Sequence, residues 1–326
     1  MNRILVVCDR PNWAYDAIAK ALIRYNPDPS VQLDVYYIKG GGSLEEAARG
    51  YDLVFPMGWQ VLGKLGFWGV KESAGYLDKD RTITGLHSHH SWDKRKTMPN
   101  NGPIPPRKLV SFLGQYTGVN AVSKRLHDLF KKAGLHNVVY TPNGADVNIF
   151  RPEKPLRKDG PLRVGYSGSY KHDWRKGISE FIEPACKAIG AELVCAMPVG
   201  GNYVPLDQMH TFYQDIDVYL CASSSEGFSL SVLEASSCGR PVISTRVGGC
   251  DELIVDGENG FLVDRRVEAM VEKLRILDRD RDLLVAMGSA MRKCVEDKWS
   301  WNDRAIDWID FMKHCLDASN ASLAHK

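Results

Sequence analysis

The sequence has little that would direct it to a membrane or to a polyanion. Its longest stretch without a charged residue, 109–123, has 15 residues and includes polar side chains, so it is too short and too polar to cross a bilayer as a helix. The formal net charge of +2 provides no global field of the kind that a dedicated nucleic-acid binder carries. Because residues 1–3 run straight into an apolar, strand-like segment, we also expect no signal-peptide core.

Cysteine is present but forms no recognisable pattern. Only Cys8 lies in the first half of the chain, and none of the 8 cysteines belongs to a CxxC pair. This distribution argues against a cysteine zinc site and is typical of buried thiols in a reducing compartment. We therefore expect a cytoplasmic protein.

Length and charge divide the chain into two parts. The 326 residues, of which 44% are hydrophobic, suffice for two ordinary domains with their own cores. Residues 1–150 contain 19 Lys+Arg and 13 Asp+Glu, whereas residues 151–326 contain 23 and 27. A basic half and an acidic half indicate different partners for each.

Short apolar runs alternate with helix-length amphipathic segments, which predicts βαβ units and parallel sheets. The predicted strands are 4–8, 33–38, 53–55, 82–86, 118–122, 138–140, 162–165, 192–196, 217–222, 241–245 and 260–263. The expected class is α/β, with two doubly wound Rossmann-like domains at 1–150 and 162–300 and a ligand-binding cleft between them.

Three further boundaries follow from composition. Prolines and glycines at 151–161 predict an interdomain linker. The predicted helix 301–316 has one apolar face, and we expect it to pack back toward the N-terminal domain. Residues 318–326 are predicted to be a frayed tail.

The most informative segment, SSSEGFSLSVLEA at 223–235, follows a predicted strand and begins a predicted helix. The first N–H groups of a helix have no intrahelical partner and can bind phosphate. Those expected to do so belong to Gly227, Phe228, Ser229 and Leu230. Glu226 precedes the helix and Glu234 lies about two turns inside it, where carboxylates can accept hydrogen bonds from sugar hydroxyls. Alternatively, Glu226 only stabilises the helix N-terminus through the dipole.

The segment EGFSLSVLEASSCGRPVIST at 226–245, followed by VGG at 247–249 and NGFLV at 259–263, resembles the donor-site block of the retaining glycosyltransferases of family four. The segment TPNGAD at 141–146, with FRP at 150–152, is similar to the end of that family's first domain. The resemblance implies the GT-B fold and transfer of a sugar from a nucleoside diphosphate sugar to a hydroxyl acceptor, without metal or cofactor.

The resemblance also implies residue roles. Glu234 would hold the ribose hydroxyls, Glu226 the hydroxyls of the transferred sugar, and the backbone at 227–230 the distal phosphate. Lys176 matches the family lysine whose charge neutralises the leaving diphosphate. The catalytic set would comprise Lys176, Glu226 and His87, a histidine at the end of a predicted strand.

The sequence departs from the family pattern at two places. Ser169 occupies the position of the family arginine, so either Lys171 or Arg175 replaces it, or the diphosphate is held less tightly; the basic residues could also form only a solvated loop. The first βα turn, 8–16, has no glycine. Its Asn12, Trp13 and Asp16 are weaker candidates for sugar or acceptor contacts, and Trp13 could equally be a packing residue.

The histidines near residue 87 allow two alternatives. If the strand register is shifted by two residues, His89 takes the role of His87. His87, His89 and Asp93 also invite a metal interpretation, but no other His or Cys cluster completes the shell, so no metal site is predicted.

Acceptor recognition is expected in the basic half. Its basic clusters are 94–96, 107–108, 124–125 and 131–132, and its nearby aromatic residues are Trp59, Phe67 and Trp68. Such a surface suits an anionic or membrane-linked acceptor with peripheral membrane contact, although separate solvated faces would give the same pattern. The alternatives to the transferase are a nucleotide-sugar epimerase and a noncatalytic nucleotide-sugar binding protein. A modified-DNA acceptor would require strongly salt-dependent binding.

Overall fold

The computed structural model describes residues 1–66, 68–89, 92, 104–197 and 202–324. The strands are β1 Asn2–Cys8, β2 Val31–Tyr37, β3 Leu53–Pro56, β4 Gly63–Leu65, β5 Val70–Glu72, β6 Ile83–Leu86, β7 Gly118–Ala121, β8 Val138–Tyr140, β9 Arg163–Ser167, β10 Glu192–Ala196, β11 Val218–Cys221, β12 Val242–Thr245 and β13 Gly260–Val263.

The α-helices are α1 Ala14–Arg24, α2 Leu44–Ala47, α3 Arg107–Leu113, α4 Lys124–Lys132, α5 Asp173–Lys176, α6 Glu183–Ile189, α7 Met209–Gln214, α8 Leu230–Ser237, α9 Cys250–Leu253, α10 Val267–Arg279, α11 Arg281–Lys298 and α12 Trp301–Ala324. A π-helical turn, Ile178–Ile182, precedes α6. Within the described residues, no helix combines the length and the apolar character needed to cross a membrane.

The described residues form two compact units. The N-terminal unit contains those up to Asn143 together with α12, and the C-terminal unit extends from Gly144 to Ser300. The N-terminal unit has two parallel sheets, ordered β2-β1-β3 and β6-β7-β8, and a parallel bridge from Val54 to Thr82 leads from one to the other. Residues 4–8 of the central strand β1 are all buried, as expected for a parallel strand covered on both faces.

The C-terminal unit has one parallel sheet, ordered β10-β9-β11-β12-β13. Val164, Leu220 and Ile243 of its central strands are buried in one core with Ile178 and Leu274 of the surrounding helical segments. The predicted α/β class with two Rossmann-like parallel-sheet units is confirmed.

The segment predicted as a linker, 151–161, is bound to the C-terminal unit. Arg157 forms an ion pair with the buried Asp217 at 2.8 Å. The side-chain oxygen of Gln214 accepts hydrogen bonds from the backbone N–H groups of Glu153 and Lys154, and Arg240, also buried, donates to the Lys154 carbonyl. The prolines here interrupt regular structure, but the side-chain contacts fix the segment, and the C-terminal unit begins at Gly144.

The end of the chain also differs from the prediction. Helix α12 continues to Ala324, and Ser319 is only 2% exposed, so the predicted frayed tail is wrong for these residues. Helix α12 belongs to the N-terminal unit. There the indole N–H of Trp308 donates to the carbonyl of Pro142 at 2.8 Å.

A short antiparallel hairpin, β4–β5, was not predicted. It occupies a glycine-rich stretch in which Gly63 allows close approach to the Phe112 side chain of α3. Trp59 before the hairpin is buried, whereas Trp68 at its turn is 94% exposed. Phe67 and residues 94–96 of the predicted basic and aromatic surface lie outside the described residues.

Candidate functional site

Lys176 and Arg175 are positioned by the chain that follows β9. Ser169 caps a 3-10 turn by accepting a hydrogen bond from the Lys171 N–H, and the one-turn helix α5 then ends at Gly177. Gly177 has φ 72°, a left-handed conformation that glycine adopts without strain. Lys176 is thus the last residue of α5.

The backbone of Arg175 is fastened to the loop after β11. Its carbonyl accepts hydrogen bonds from the Ser224 N–H at 2.9 Å and from the Arg265 guanidinium at 3.4 Å. The Arg175 guanidinium in turn donates to the Ser225 carbonyl at 2.7 Å. These contacts hold α5 against the segment that carries Glu226.

Three predicted residues meet at one carboxylate. Oε1 of Glu226 lies 2.6 Å from Nζ of Lys176 and 3.6 Å from Nη1 of Arg175. Burial alone would raise the pKa of Glu226, but the charges of Lys176 and Arg175 outweigh it and lower the pKa to about 2. Glu226 is therefore ionised at neutral pH and held in a defined place.

Helix α8 starts later than predicted. It begins at Leu230 rather than near Phe228, and its N-cap residue, Ser229, makes no side-chain capping hydrogen bond. Glu234 is consequently one turn inside the helix instead of two. The Ser229 side chain therefore leaves the N–H groups of the first turn uncapped. The predicted phosphate site requires such uncapped N–H groups.

Residues 227 and 228 are held by the glycine pair of the VGG motif. The Gly249 N–H donates to the Gly227 carbonyl at 2.8 Å. Gly248 has φ 52°, and a Cβ on it would collide with the Gly227 backbone. The Phe228 ring is buried edge-on against Trp299, with 4.9 Å between the ring centroids. Phe228 therefore contributes packing through its side chain, which leaves its backbone as the candidate ligand contact.

Glu234 has a different environment from Glu226. Its Oε2 accepts a hydrogen bond from the hydroxyl of Tyr213 at 2.7 Å. Burial raises the pKa of Glu234 to about 7, against the lowering effect of that hydrogen bond. The two glutamates thus have pKa values displaced in opposite directions by their surroundings.

The structure distinguishes the two predicted replacements for the family arginine. Arg175 lies beside Glu226, whereas the side chain of Lys171 is exposed. Ser169 caps the 3-10 turn Tyr170–His172, which precedes α5. Arg175 is the better candidate for this replacement because its guanidinium already lies beside Lys176 and Glu226.

In the N-terminal unit, His87 directly follows β6. Its ring packs edge-on against Tyr15 at 4.8 Å between centroids, and burial lowers the pKa of His87 to about 4 against the raising effect of the Met57 carbonyl. The imidazole is therefore neutral at pH 7. Within the described residues, its buried Nε2 has no hydrogen-bond partner. His89 is only 2% exposed and packs against Trp92, so His87 remains the better candidate.

The first βα turn is built around Asp16. This buried carboxylate accepts hydrogen bonds from the Asn12 N–H at 2.7 Å and the Tyr37 hydroxyl at 2.6 Å, and Lys20 lies 2.8 Å away. The Asp16 carboxylate thus has a structural role in this turn, and its oxygens already have partners. Asn12 has φ 58° and takes the conformation that a glycine would favour. Trp13 is 41% exposed beneath the Arg10 guanidinium, so it is not a core residue.

The part of the chain that the structure describes contains no group of three or more His, Cys, Asp or Glu side chains arranged to hold a metal ion. Asp93, one member of the metal alternative, lies outside the described residues. All eight cysteines are free, and six of them are buried.

Sequence reasoning missed Tyr213 and Arg265. Tyr213 contacts Glu234 from 21 residues away, and Arg265 reaches the Arg175 carbonyl across 90 residues. Neither belongs to a motif, because each acts through a tertiary contact that local sequence does not report.

Comparison with solved structures defines the class of fold. The chain is similar to a sucrose-phosphate synthase from Thermosynechococcus elongatus, with a TM-score of 0.72, 14% identity, and coverage of 98% of this chain and 100% of the other. It is also similar to HepE of Anabaena in complex with UDP and glucose, with a TM-score of 0.68, 14% identity, and coverage of 96% and 100%. The predicted GT-B fold class is confirmed.

Comparison with sequences adds a match to one segment of the chain. Residues 201–294 match the model for "Glycosyl transferases group 1". A GDP-mannose-dependent alpha-(1-6)-phosphatidylinositol monomannoside mannosyltransferase of Mycobacterium tuberculosis is 38% identical over 89 residues, which are 27% of this chain and 23% of the relative. The matched segment is thus less than a quarter of the relative's length. This match to the group 1 glycosyltransferases confirms, over the matched segment, the predicted resemblance to family-four glycosyltransferases.

Proposed function

We propose that this protein is a retaining glycosyltransferase that moves a sugar from a nucleoside diphosphate sugar to a hydroxyl acceptor. The observation that carries the proposal is the contact of Lys176 and Arg175, both on α5, with Glu226, which lies just before helix α8. Glu226 and α8 also lie within the segment that matches the group 1 glycosyltransferases.

The cluster suggests one role for each donor group. Lys176 and Arg175 neutralise the diphosphate as it leaves, the role predicted for a basic pair. The backbone at 227–230 binds the distal phosphate, as a helix N-terminus does. Glu226 accepts hydrogen bonds from the transferred sugar, and Glu234 accepts those of the ribose. His87, neutral at pH 7, is proposed as a further sugar contact.

The proposed reaction starts when the bond between the anomeric carbon and the diphosphate oxygen breaks. The acceptor hydroxyl attacks from the face that the diphosphate leaves, so configuration is retained and no enzymatic nucleophile is required. The acceptor proton passes to the departing diphosphate. The cations of Lys176 and Arg175 provide the charge stabilisation that a metal would otherwise supply, so we propose that the chemistry is metal-independent.

A donor panel tests this proposal. UDP-, GDP- and ADP-sugars are screened by thermal shift, because a ligand that binds only the folded state raises its stability. The best donor is then incubated with hydroxyl acceptors with and without EDTA, and the anomeric configuration of the product is read by NMR. We expect transfer with retention that EDTA leaves unchanged. Inversion, or loss of transfer with EDTA and recovery with a divalent ion, would contradict the corresponding part of the proposal.

A noncatalytic nucleotide-sugar binding protein is the second candidate. One observation favours it. Ser169, which occupies the position of the family arginine, caps a turn and provides no positive charge for a leaving diphosphate. Tight donor binding without hydrolysis or transfer across the acceptor panel would support it. The position of Arg175 beside Glu226 favours the transferase.

For the acceptor we propose an anionic or membrane-linked molecule. Lys124, Lys131 and Lys132 of α4 are exposed, and exposed cations attract anionic lipid. The mycobacterial relative is named for a phosphatidylinositol monomannoside. The eight free thiols support a cytoplasmic location with peripheral membrane contact.

A further inference from the structure

The donor carboxylate Glu234 is held by a buried tyrosine. Tyr213 lies near the end of α7, and its hydroxyl donates to Oε2 of Glu234 at 2.7 Å. The phenol is itself fixed, because its ring packs against Phe212 and Phe150 and its backbone carbonyl accepts a hydrogen bond from Arg240 at 2.8 Å. Tyr213 is completely buried, so its hydroxyl has little freedom to change partner.

A second tyrosine extends this contact into a network. The hydroxyl of Tyr219 on β11 lies 3.0 Å from Oγ of Ser167, the last residue of β9. Ser167 also interacts with the Tyr213 hydroxyl, and Ser231 of α8 interacts with the Tyr219 hydroxyl. Strands β9 and β11 and helices α7 and α8 are thereby linked within the C-terminal unit.

The network restricts how Glu234 can bind a ligand. A carboxylate has two oxygens, and a hydrogen bond to one fixes the rotation of the group. Because the Tyr213 hydroxyl takes one of the two acceptor positions of Oε2, Oε1 is the oxygen with more acceptor capacity left for incoming hydroxyls. A phenol that donates to the ionised form also favours ionisation, which matters because burial raises the pKa of Glu234 to about 7.

We propose that Tyr213 is a positioning residue for the donor, holding Glu234 so that it binds the ribose hydroxyls of a nucleoside diphosphate. This inference rests on the proposed donor role of Glu234. Tyr213 does not touch the reacting atoms, so its loss is expected to change donor binding and its pH dependence more than the chemical step. Besides Tyr213, the titratable group that interacts with Glu234 is Cys238, which follows the end of α8. Cys238 in turn interacts with the charges of Arg240, Arg292 and Glu153, and Tyr213 interacts with Tyr219 on β11.

The test compares Tyr213→Phe with Glu234→Gln and with the matched control Tyr219→Phe. Tyr219→Phe removes a hydroxyl that contacts Ser167 in the same network, and it leaves the hydrogen bond from Tyr213 to Glu234 in place. UDP, GDP and ADP are titrated to find the tightest ligand. Its Kd and that of its 2′-deoxy and 3′-deoxy forms are then measured from pH 5.5 to 8.5, with thermal unfolding to confirm that each variant is folded.

We expect wild type to prefer the ribonucleotide and to bind it more tightly as pH rises through about 7, where Glu234 ionises. Tyr213→Phe should weaken binding about tenfold at pH 7, reduce the preference over the deoxy forms and move the pH midpoint upward. A tenfold change corresponds to about 1.4 kcal/mol. Tyr219→Phe should retain the wild-type preference and midpoint.

Two results separate the failure of this inference from that of the proposed function. If Glu234→Gln loses the ribose preference but Tyr213→Phe keeps both preference and midpoint, Tyr213 does not position Glu234 and the donor site stands. If Glu234→Gln binds every ligand as wild type does, or wild type binds none of the three diphosphates, the donor assignment itself fails and the inference fails with it.

Discussion

The ammonium nitrogen of Lys176 lies 2.6 Å from Oε1 of Glu226, so two residues proposed to act on different parts of one ligand neutralise each other. Their side chains are 17% and 10% exposed, and buried charges are stable only when they are paired. When a diphosphate binds, Lys176 gains a second anion to stabilise. The existing pair keeps the ammonium group in place for it.

Lys176→Ala should lower turnover by about 10²-fold or more, because it removes charge stabilisation of the leaving group. It also leaves Glu226 with Arg175, at 3.6 Å, as its remaining ion-pair partner. Breaking a buried pair typically costs about 3–5 kcal/mol, so kcat is measured at a temperature where circular dichroism shows folded protein. Lys171→Ala, at an exposed position of the same basic loop, is the control and should retain turnover. Equal turnover in wild type and Lys176→Ala would remove Lys176 from the site.

The low pKa of Glu226 predicts how stability depends on acid. Its pKa falls from 4.5 to about 2 on folding, so its ionised form stabilises the native state above pH 4.5. That contribution, about 3 kcal/mol, is lost as pH falls from 4.5 toward 2. Urea unfolding of wild type and Glu226→Gln should therefore show a difference that shrinks between pH 5 and pH 3. A constant difference over this range would contradict the ion-pair origin of the shift.

Glu234 should show the opposite dependence. Its pKa rises from 4.5 to about 7 on folding, so the protonated form is favoured in the native state and stability is lost as pH rises from 4.5 to about 7. The free energy of unfolding of Glu234→Gln should equal that of wild type near pH 4.5. At pH 8 it should be higher than that of wild type by about 3 kcal/mol. The measurement is the same urea series without nucleotide. A wild type that is as stable as Glu234→Gln at pH 8 would show that burial does not penalise this carboxylate.

The sequence predicted the parallel strands well, because each is a short apolar run flanked by turn residues. Strands β8, β10 and β13 have the predicted bounds. The 151–161 segment was misassigned because its order comes from Asp217 and Gln214, partners about 60 residues away. Prolines report local backbone preference and carry no information on such contacts.

For the candidate site as well, the sequence predicted the motif residues but not their tertiary contacts. The motif located Glu226, Glu234 and Lys176, but it did not determine which basic residue replaces the family arginine. That choice depends on how α5 docks on the loop after β11, through the Arg175 carbonyl. The opposite pKa displacements of the two glutamates likewise arise from tertiary neighbours.

Asn12 predicts a stability effect that leaves the proposed chemistry untouched. Its φ of 58° is accessible to asparagine and glycine but costs other residues about 1 kcal/mol or more. Asn12→Gly should leave the thermal unfolding temperature within about 1 °C of wild type, whereas Asn12→Ala should lower it by about 1.5–3 °C. Donor binding should be unchanged in both folded variants. A loss of donor affinity in Asn12→Gly would instead support the prediction that Asn12 contacts the ligand.

The basic face of α4 predicts salt-dependent binding to anionic vesicles. Lys131 and Lys132 are exposed in its last turn, and each cation near an anionic surface contributes about 1 kcal/mol. The double variant Lys131→Gln/Lys132→Gln should therefore bind vesicles rich in phosphatidylglycerol roughly thirtyfold more weakly in a sedimentation assay. The matched control is Lys158→Gln/Lys293→Gln, which removes two exposed lysines from the C-terminal unit. If both double variants lose equal affinity, net charge alone governs binding. If neither differs from wild type, the face is solvated and the acceptor is not recognised through it.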